Sequence, residues 1–181
     1  MSATQEQNLI ERCRNGDSPA FGPLIQPYRR QLFSYLFKLC GDKTQTDDLF
    51  QETLIKTWRG IKKYSEQQKF SSWLFTIAHN TAMDVLRKRK RNILKLEIDA
   101  ENLHGGSDPH KEFISNETNK MIESAIEILP VKQKNVLLLR LYGDMSFKEI
   151  SRLTDEPINT VLSHMHYAVK KIRKIIGKKD V

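Results

Sequence analysis

The chain has few of the residues that build metal clusters, disulfide frameworks or membrane spans. Only two of its 181 residues are cysteine, Cys13 and Cys40, and they do not form a CxxC pair. We therefore expect neither a cysteine metal site nor a disulfide scaffold, and interpret both as small core residues. No stretch of about 18 apolar residues and no leader-like N-terminus occurs. The sequence predicts a soluble, cytoplasmic protein without a membrane span.

Acidic residues are outnumbered by basic ones. Asp and Glu number 22 against 30 Lys and Arg, which gives a formal net charge of +8 and a sequence pI near 9.5. The excess is clustered, most densely from Arg87 to Arg91. Clustered positive charge favours a polyanionic partner, and nucleic acid is the leading candidate.

The chain also lacks any alternating strand pattern of convincing length, whereas apolar residues recur every three or four positions. This spacing predicts an all-α fold of two small helical domains, residues 1–95 and 118–181. Residues 96–117 are predicted to be a flexible linker, because they are strongly acidic and His104-Gly-Gly-Ser-Asp-Pro109 breaks any helix.

Short polar motifs are expected to mark where the helices begin. Thr4 with Gln7, Thr44 with Asp47, and Ser146 with Glu149 have the spacing of helix starts. Pro27 should kink or delay the second helix. In the C-terminal domain, a short helix from Phe147, a turn ending at Pro157, and a last helix capped by Asn159 or Thr160 predict a helix-turn-helix.

The first candidate site is an acidic stripe on the helix after Thr44. At 100° per residue, one stripe is formed by Asp48, Glu52, Ile55 and Arg59. It lies opposite Phe50, Leu54 and Ile61, and so faces solvent. A solvated helix face is the plain interpretation, and a docking face for a basic partner is the functional one. Asp47 and Gln51 lie beside this stripe.

The second candidate site combines aromatic, amide and basic side chains. Phe70, Trp73 and Phe75 surround the start of a helix, and Asn80 is a polar residue at the otherwise apolar half-turn Thr76-Ile-Ala78. The aromatic rings suit either core packing or the stacking of unpaired bases. The basic run at residues 87–91 is either a solubilising helix end or a phosphate contact whose binding falls steeply with salt.

The last helix supplies the third candidate site. With Val161, Met165, Ala168 and Ile172 facing inward, the outer stripe is expected to face base edges, and Lys170 to lie near phosphates. His164 and His166 diverge and make a poor metal pair. The outer stripe consists of Thr160, Ser163, His164, Tyr167 and Lys171.

Catalysis is not indicated, and we expect no cofactor or metal. Asp47, Asp48 and Glu52 could hold a divalent cation, but no distant carboxylate or His motif completes such a site, and no Gly-rich phosphate loop occurs. Two interpretations of the residues stay open at this point. One is a helix-turn-helix regulator that binds duplex DNA alone, and the other is a metal-dependent helical enzyme built on these three acids.

Taken in order, these motifs resemble those of bacterial RNA polymerase sigma factors of the extracytoplasmic-function (ECF) group. The resemblance covers nearly the whole chain. It rests on Asp47-Asp-Leu-Phe-Gln-Glu-Thr with Trp58, on Phe70-x-x-Trp73-Leu-x-x-Ile-Ala-x-Asn80-x-x-x-Asp84-x-x-Arg87, and on Leu129-Pro130 followed by Ser146-x-x-Glu149-Ile and Thr160-Val-x-Ser163.

The resemblance implies a transcription initiation factor that binds core RNA polymerase and recognises two promoter elements. The resemblance also implies that such a factor melts DNA by capturing a flipped base of the −10 element. The partners implied are the clamp coiled coil of the largest subunit, the flap, promoter DNA and, as is common in the family, an anti-sigma factor. The acidic linker residues Glu97, Asp99 and Glu101 would imitate RNA.

The resemblance also assigns the three candidate sites. Family members often carry Lys or Arg where this chain has Leu162 and His164, so specific −35 base contacts are not carried over. The implied sets are Asp47, Asp48, Gln51, Glu52 and Ile55 for core polymerase; Lys63, Lys69, Phe70, Ser71, Trp73, Asn80, Asp84, Arg87, Lys88 and Arg91 for −10 DNA; and Lys148, Asn159, Thr160, Ser163, His164, Tyr167, Lys170 and Lys171 for −35 DNA.

Overall fold

A computed structural model describes residues 1–65, 69–96 and 117–177, without the side chains of 89–96 and 117–120. The chain divides into two compact units, Met1–Ser107 and Asp108–Val181. The regular elements of the described residues are all helical, with no strand among them, which confirms the all-α prediction. The predicted domain ends at 95 and 118 stay predictions, since residues 97–116, including the acidic linker residues, lie outside the described part.

The first unit is built from α1 (Ala3–Arg14), α2 (Phe21–Ile25), α3 (Arg29–Cys40), α4 (Lys43–Gly60) and α5 (Phe70–Leu96). Two short 3-10 turns, Ser18–Ala20 and Ile61–Lys63, precede α2 and follow α4. Helices α3, α4 and α5 pack on one another, while α1 packs on α2 and both turns. Pro27 separates α2 from α3, as predicted from its missing N–H.

The core of this unit is made of large apolar and aromatic side chains that lose all contact with water. Burying one leucine of this kind contributes about 2 kcal/mol relative to leaving it exposed. The largest fully buried residues of the unit are Leu24, Leu32, Tyr35, Leu36, Leu49, Ile61, Leu74 and Phe75.

One polar pair lies within this core. The Tyr35 hydroxyl is 2.9 Å from Nδ1 of His79, and both residues are buried. Burial, together with the charge of Arg87, lowers the pKa of His79 to about 4. The imidazole is therefore neutral at physiological pH and satisfies the buried hydroxyl without a buried charge.

Two of the predicted helix starts are wrong by two residues. Ser2 has the extended backbone of an N-cap and forms the capping box with Gln5, so Thr4 already lies inside α1. Asp42 caps α4, because its Oδ1 accepts a hydrogen bond from the backbone N–H of Gln45 at 2.6 Å. In both cases an earlier residue satisfies the free N–H groups, and the helix extends back to it.

The second unit contains α6 (Glu117–Glu127), α7 (Val131–Tyr142), α8 (Phe147–Thr154) and α9 (Ile158–Ile176), with α9 packed on the other three. The capping box of Ser146 with Glu149 is confirmed. The N-cap of α9 is Pro157 rather than Asn159 or Thr160. Asp155 ends α8 in the left-handed region at φ 53°, which makes the tight turn before α9.

Candidate functional site

The acidic stripe lies on the exposed face of α4. Asp47, Asp48, Gln51 and Glu52 are all exposed, and Ile55 keeps 49% of its surface in water. Their exposure follows from the opposite face, where Thr46, Leu49, Phe50, Thr53 and Thr57 are buried. The stripe therefore presents carboxylates, an amide and one apolar side chain together.

Glu52 is the member of the stripe that already has a basic neighbour. Lys56 Nζ lies 2.8 Å from Glu52 Oε1 and 3.2 Å from the hydroxyl of Thr81 on α5. Both partners of the ion pair are nearly half exposed, so the pair is easily exchanged for an external cation. An open groove between α4 and α5 borders the stripe and is lined by Asp42, Thr44, Gln45, Asp48, Leu49, Glu52 and Val85.

Four rings at the start of α5, Tyr28, Tyr64, Phe70 and Trp73, form one aromatic cluster. Their ring centroids are 5.1 to 5.7 Å apart in contacting pairs, all tilted or edge-on. Trp73 also packs on the backbone of Gly60, where an added Cβ would meet its ring at 3.3 Å. The cluster joins the end of α4 to the start of α5.

The cluster corrects one predicted DNA contact. Phe70 is only 2% exposed, so its ring is a core residue that supports the loop before α5 rather than a surface for bases. Phe75 is fully buried, as the core-packing interpretation expected. Trp73 and Ser71 are partly exposed, and Lys63 and Lys69 are exposed.

Asn80 stands out by its position on α5. It is exposed, while Ala78, His79, Thr81 and Ala82 on either side are buried. Its amide is therefore the polar group that this turn of the helix presents to solvent. Amide side chains both donate and accept hydrogen bonds, as the edge of an unpaired base requires.

The cationic end of α5 continues the same helix. Arg87 and Lys88 are exposed, and Asp84 lies 3.9 Å from Arg87 with both side chains largely in water. The side chain of Arg91 lies outside the described residues. An exposed pair of this kind contributes little to stability, which leaves Arg87 available to a phosphate.

The buried face of α9 includes Val161 and Ala168, as predicted, whereas its exposed face differs from the predicted outer stripe. Its exposed side chains include Asn159, Leu162, Ser163, His166 and Lys170, and Tyr167 is 55% exposed. His166 was missed as a surface candidate. The signal that finds it is helical phase counted from Val161 and Ala168, which places His166 about 150° from the centre of that buried pair.

Two predicted readers of base edges are partly exposed and lie close to neighbouring elements. His164 Nε2 lies 3.4 Å from Glu156, a residue of the turn that also binds Lys132 at 2.7 Å. Lys171 Nζ donates to the carbonyl of Ile128, just past the end of α6, at 2.9 Å. Lys171 thus contacts the residue just past α6, and the assignment of His164 and Lys171 to −35 DNA stays a prediction. Thr160 is partly exposed and Lys148 is exposed.

Comparison with known proteins supports one family for both units. The family model for Sigma-70 region 2 matches residues 24–92, and that for Sigma-70 region 4 matches residues 119–172. The chain is 30% identical over 180 residues to the ECF RNA polymerase sigma-E factor of Haemophilus influenzae, covering 94% of this chain and 95% of that protein. The chain belongs to the ECF group of RNA polymerase sigma factors.

Further relatives agree with this assignment. ECF RNA polymerase sigma factor SigW of Bacillus subtilis is 26% identical over 91% of this chain and 93% of its own length. The fold is similar to that of the sigma factor RpoE of Bartonella quintana, solved with the anti-sigma factor NepR, at a TM-score of 0.72 and 19% identity over 87% of this chain and 96% of that one. CnrH, solved with the cytosolic domain of CnrY, gives a TM-score of 0.65 at 20% identity, over 96% of this chain and 98% of that one.

The resemblance inferred from sequence is thus confirmed, and this sigma factor is a transcription initiation factor that works with RNA polymerase through regions 2 and 4. The acidic stripe, Asn80 and Arg87 fall in the region 2 match, and the exposed face of α9 falls in the region 4 match. Helix α1 precedes both. Among the described residues, no group of three His, Cys, Asp or Glu side chains is placed to hold a metal. None of the described helices is long and apolar enough to cross a membrane.

Proposed function

We propose that this sigma factor docks on core RNA polymerase through the acidic stripe of α4 and captures a flipped −10 base against Asn80. The observation that supports this most directly is the separation of charge within one unit. The carboxylates Asp48 and Glu52 are exposed on α4, whereas Asn80, Arg87 and Lys88 are exposed on α5. Two partners of opposite charge therefore have two surfaces to bind.

The proposed partner of the acidic stripe is the clamp coiled coil of the largest polymerase subunit. A basic side chain from that partner would replace Lys56 beside Glu52 and leave no buried charge unpaired. Ile55, at 49% exposed, would give the interface an apolar centre. Charge complementarity of this kind raises the rate and the specificity of association.

The proposed −10 step extrudes one base from the duplex. Extrusion costs a few kcal/mol, which a specific pocket and neighbouring cations must offset. Asn80 would bond the edge of the base, Trp73 would supply a partly exposed ring, and Arg87 and Lys88 would hold the adjoining phosphates. No nucleotide hydrolysis is needed for this step.

The second unit would read the −35 element with α9. Asn159, Ser163 and His166 are exposed along the helix face that can enter a major groove, and Lys170 lies on the same face. We include an anti-sigma factor among the proposed partners, by analogy with the Bartonella RpoE complex. We place the protein in the cytoplasm, where both polymerase and promoter are found.

Charge-reversal variants test the α4 docking surface and the α5 DNA surface independently. Asp48→Lys with Glu52→Lys should lower affinity for core polymerase by at least about 100-fold while the helical circular dichroism stays unchanged, because a repulsive pair replaces an attractive one. Arg87→Glu with Lys88→Glu should keep core affinity and slow open-complex formation. Titration of labelled core enzyme and permanganate footprinting of the promoter measure the two effects.

The double variants control for each other, since each reverses two charges on one helix of the same unit. Unchanged affinity of the α4 variant for core polymerase contradicts the docking assignment. Equal loss of core binding and of open complexes in both variants contradicts separate surfaces.

A further inference from the structure

Helix α1 lies before the region 2 match, yet two of its side chains reach the aromatic cluster beside the −10 surface. Residues 24–92 carry that match, whereas α1 spans Ala3–Arg14. The cluster closes both ends of the connection between α4 and α5, since Tyr64 follows α4 and its short turn, and Phe70 begins α5. Contacts from α1 to the cluster therefore bear on Tyr64 and Phe70, the residues at the two ends of this connection.

The first contact is made by Arg14, in the last turn of α1. Its Nη2 donates to the backbone carbonyl of Tyr64, and its guanidinium lies over the Tyr64 ring at 5.6 Å from the centroid. One side chain thus fixes both the backbone and the ring of the same residue. A planar guanidinium can do both at once, whereas an ammonium group has no flat face to stack.

The second contact runs through Tyr28. The Tyr28 hydroxyl donates to Glu6 Oε1 at 2.7 Å, and the Tyr28 ring packs on Phe70 at 5.6 Å. Burial and the neighbouring Glu6 raise the pKa of Tyr28 above its ordinary value, so the phenol remains a donor. Glu6 therefore orients the ring that supports the first residue of α5.

Together the two contacts hold the two sides of the connection. Arg14 holds the Tyr64 side, and Glu6 holds the Phe70 side through Tyr28. Phe70 and Tyr64 then pack edge-on at 5.6 Å, and both touch Trp73. Lys69, Ser71 and Trp73 are the exposed or partly exposed side chains that this arrangement presents.

We propose that α1 positions the −10 surface, with Arg14 and Glu6 as positioning residues that act through Tyr64 and Tyr28. The proposal rests on the −10 function proposed above and adds a requirement for α1 to it. Neither Arg14 nor Glu6 contacts DNA in this scheme. Their effect is on the affinity for unpaired promoter DNA and not on core docking.

The test measures binding of a single-stranded probe to the reconstituted holoenzyme. The probe is a fluorescent non-template oligonucleotide that spans the −10 segment of a promoter this sigma factor transcribes. Arg14→Ala is expected to weaken probe binding about tenfold, because it removes a charge-assisted hydrogen bond and a ring contact. Tyr28→Phe, which keeps the ring and removes only the hydroxyl, is expected to weaken it about threefold.

Arg12→Ala is the matched control. Arg12 belongs to the same helix turn but pairs with Asp17 at 2.7 Å, away from the cluster. Its loss should leave probe binding within about twofold of wild type. Arg14→Lys should fall between wild type and Arg14→Ala, because it keeps the donor and loses the stacked plane.

Salt dependence distinguishes positioning from direct contact. If Arg14 bound a phosphate itself, Arg14→Ala would lower the slope of log affinity against log salt by about 0.7 for single-stranded DNA. We expect an unchanged slope and unchanged affinity for core polymerase. If Arg14→Ala fails to fold, Tyr28→Phe and Arg14→Lys decide the question.

Three results overturn the proposal: no loss of probe binding in Arg14→Ala and Tyr28→Phe, an equal loss in Arg12→Ala, or a reduced salt slope. These results leave the −10 function itself intact as long as wild-type holoenzyme binds the probe. A wild-type holoenzyme that does not bind the probe contradicts the −10 function, and the role of α1 falls with it.

Discussion

At the scale of single residues, the buried pair of Tyr35 and His79 makes the first unit sensitive to acid. Burial lowers the pKa of His79 to about 4 from an ordinary value of 6.5. The unfolded chain therefore takes up a proton first as the pH falls, and stability is lost between about pH 6.5 and pH 4. Above pH 6.5 this contribution is fully present.

We expect the free energy of unfolding to fall by about 2 kcal/mol between pH 7 and pH 5 from this group alone. His79→Gln keeps a hydrogen-bonding partner for Tyr35 and removes the titration. Urea unfolding followed by Trp fluorescence at both pH values measures the difference. An equal loss of stability in wild type and His79→Gln contradicts the assignment.

Residue roles were the part of the site that sequence predicted least well. Asp48 and Glu52 could be placed on the surface because they lie opposite the apolar face of their helix, and Asn80 was singled out as a polar residue in an otherwise apolar half-turn. Phe70 and His164 were expected at the DNA surface, although helical spacing alone suits a ring or an imidazole at either a core or a surface position. Phe70 packs on Tyr28, and His164 lies close to Glu156. Helical spacing does not predict such contacts between elements.

At the scale of elements, α9 has two adjacent lysines in different surroundings. Lys170 is exposed, whereas Lys171 donates to the carbonyl of Ile128. Lys171→Ala should lower the free energy of unfolding of the second unit by about 1 kcal/mol, because it leaves that carbonyl without its donor. Lys170→Ala should leave stability unchanged and reduce the salt slope of holoenzyme binding to a −35 duplex by about 0.9.

Hydrogen exchange of α6 amides and salt titration of duplex binding provide the two measurements, and each variant serves as the control for the other. The assignment of α9 fails if Lys171→Ala changes the salt slope while Lys170→Ala changes exchange.

The type of each helix could be predicted from sequence better than its start. The helical period alone indicated each long helix, and the Ser146 capping box was correct because no better cap precedes it. The starts of α1 and α4 were placed too late, since Ser2 and Asp42 offer caps upstream of Thr4 and Thr44. Several polar residues near one helix end could each serve as the N-cap. Which of them does so depends on the backbone conformation that the rest of the unit allows.

At the scale of the whole molecule, sequence predicted two helical units, and the structure and the family matches agree. The division into two helical units could be predicted because helical periodicity and the acidic, Gly-containing segment extend over many residues. A wrong position for one helix end does not change either pattern. The contacts of α1 with the aromatic cluster were not accessible, because Arg14 and Tyr64 are 50 residues apart in sequence.

We infer that this chain directs core RNA polymerase to promoters that share a −35 and a −10 element. The most direct measurement is in vitro transcription of a promoter library by core polymerase supplied with the purified chain, with the Asp48→Lys, Glu52→Lys variant as the control. We predict transcripts from a subset of templates that share one −35 and one −10 motif, and none with the variant. Tight, sequence-specific duplex binding by the chain alone, with no chain-dependent transcription, would contradict the account and favour a simple helix-turn-helix regulator.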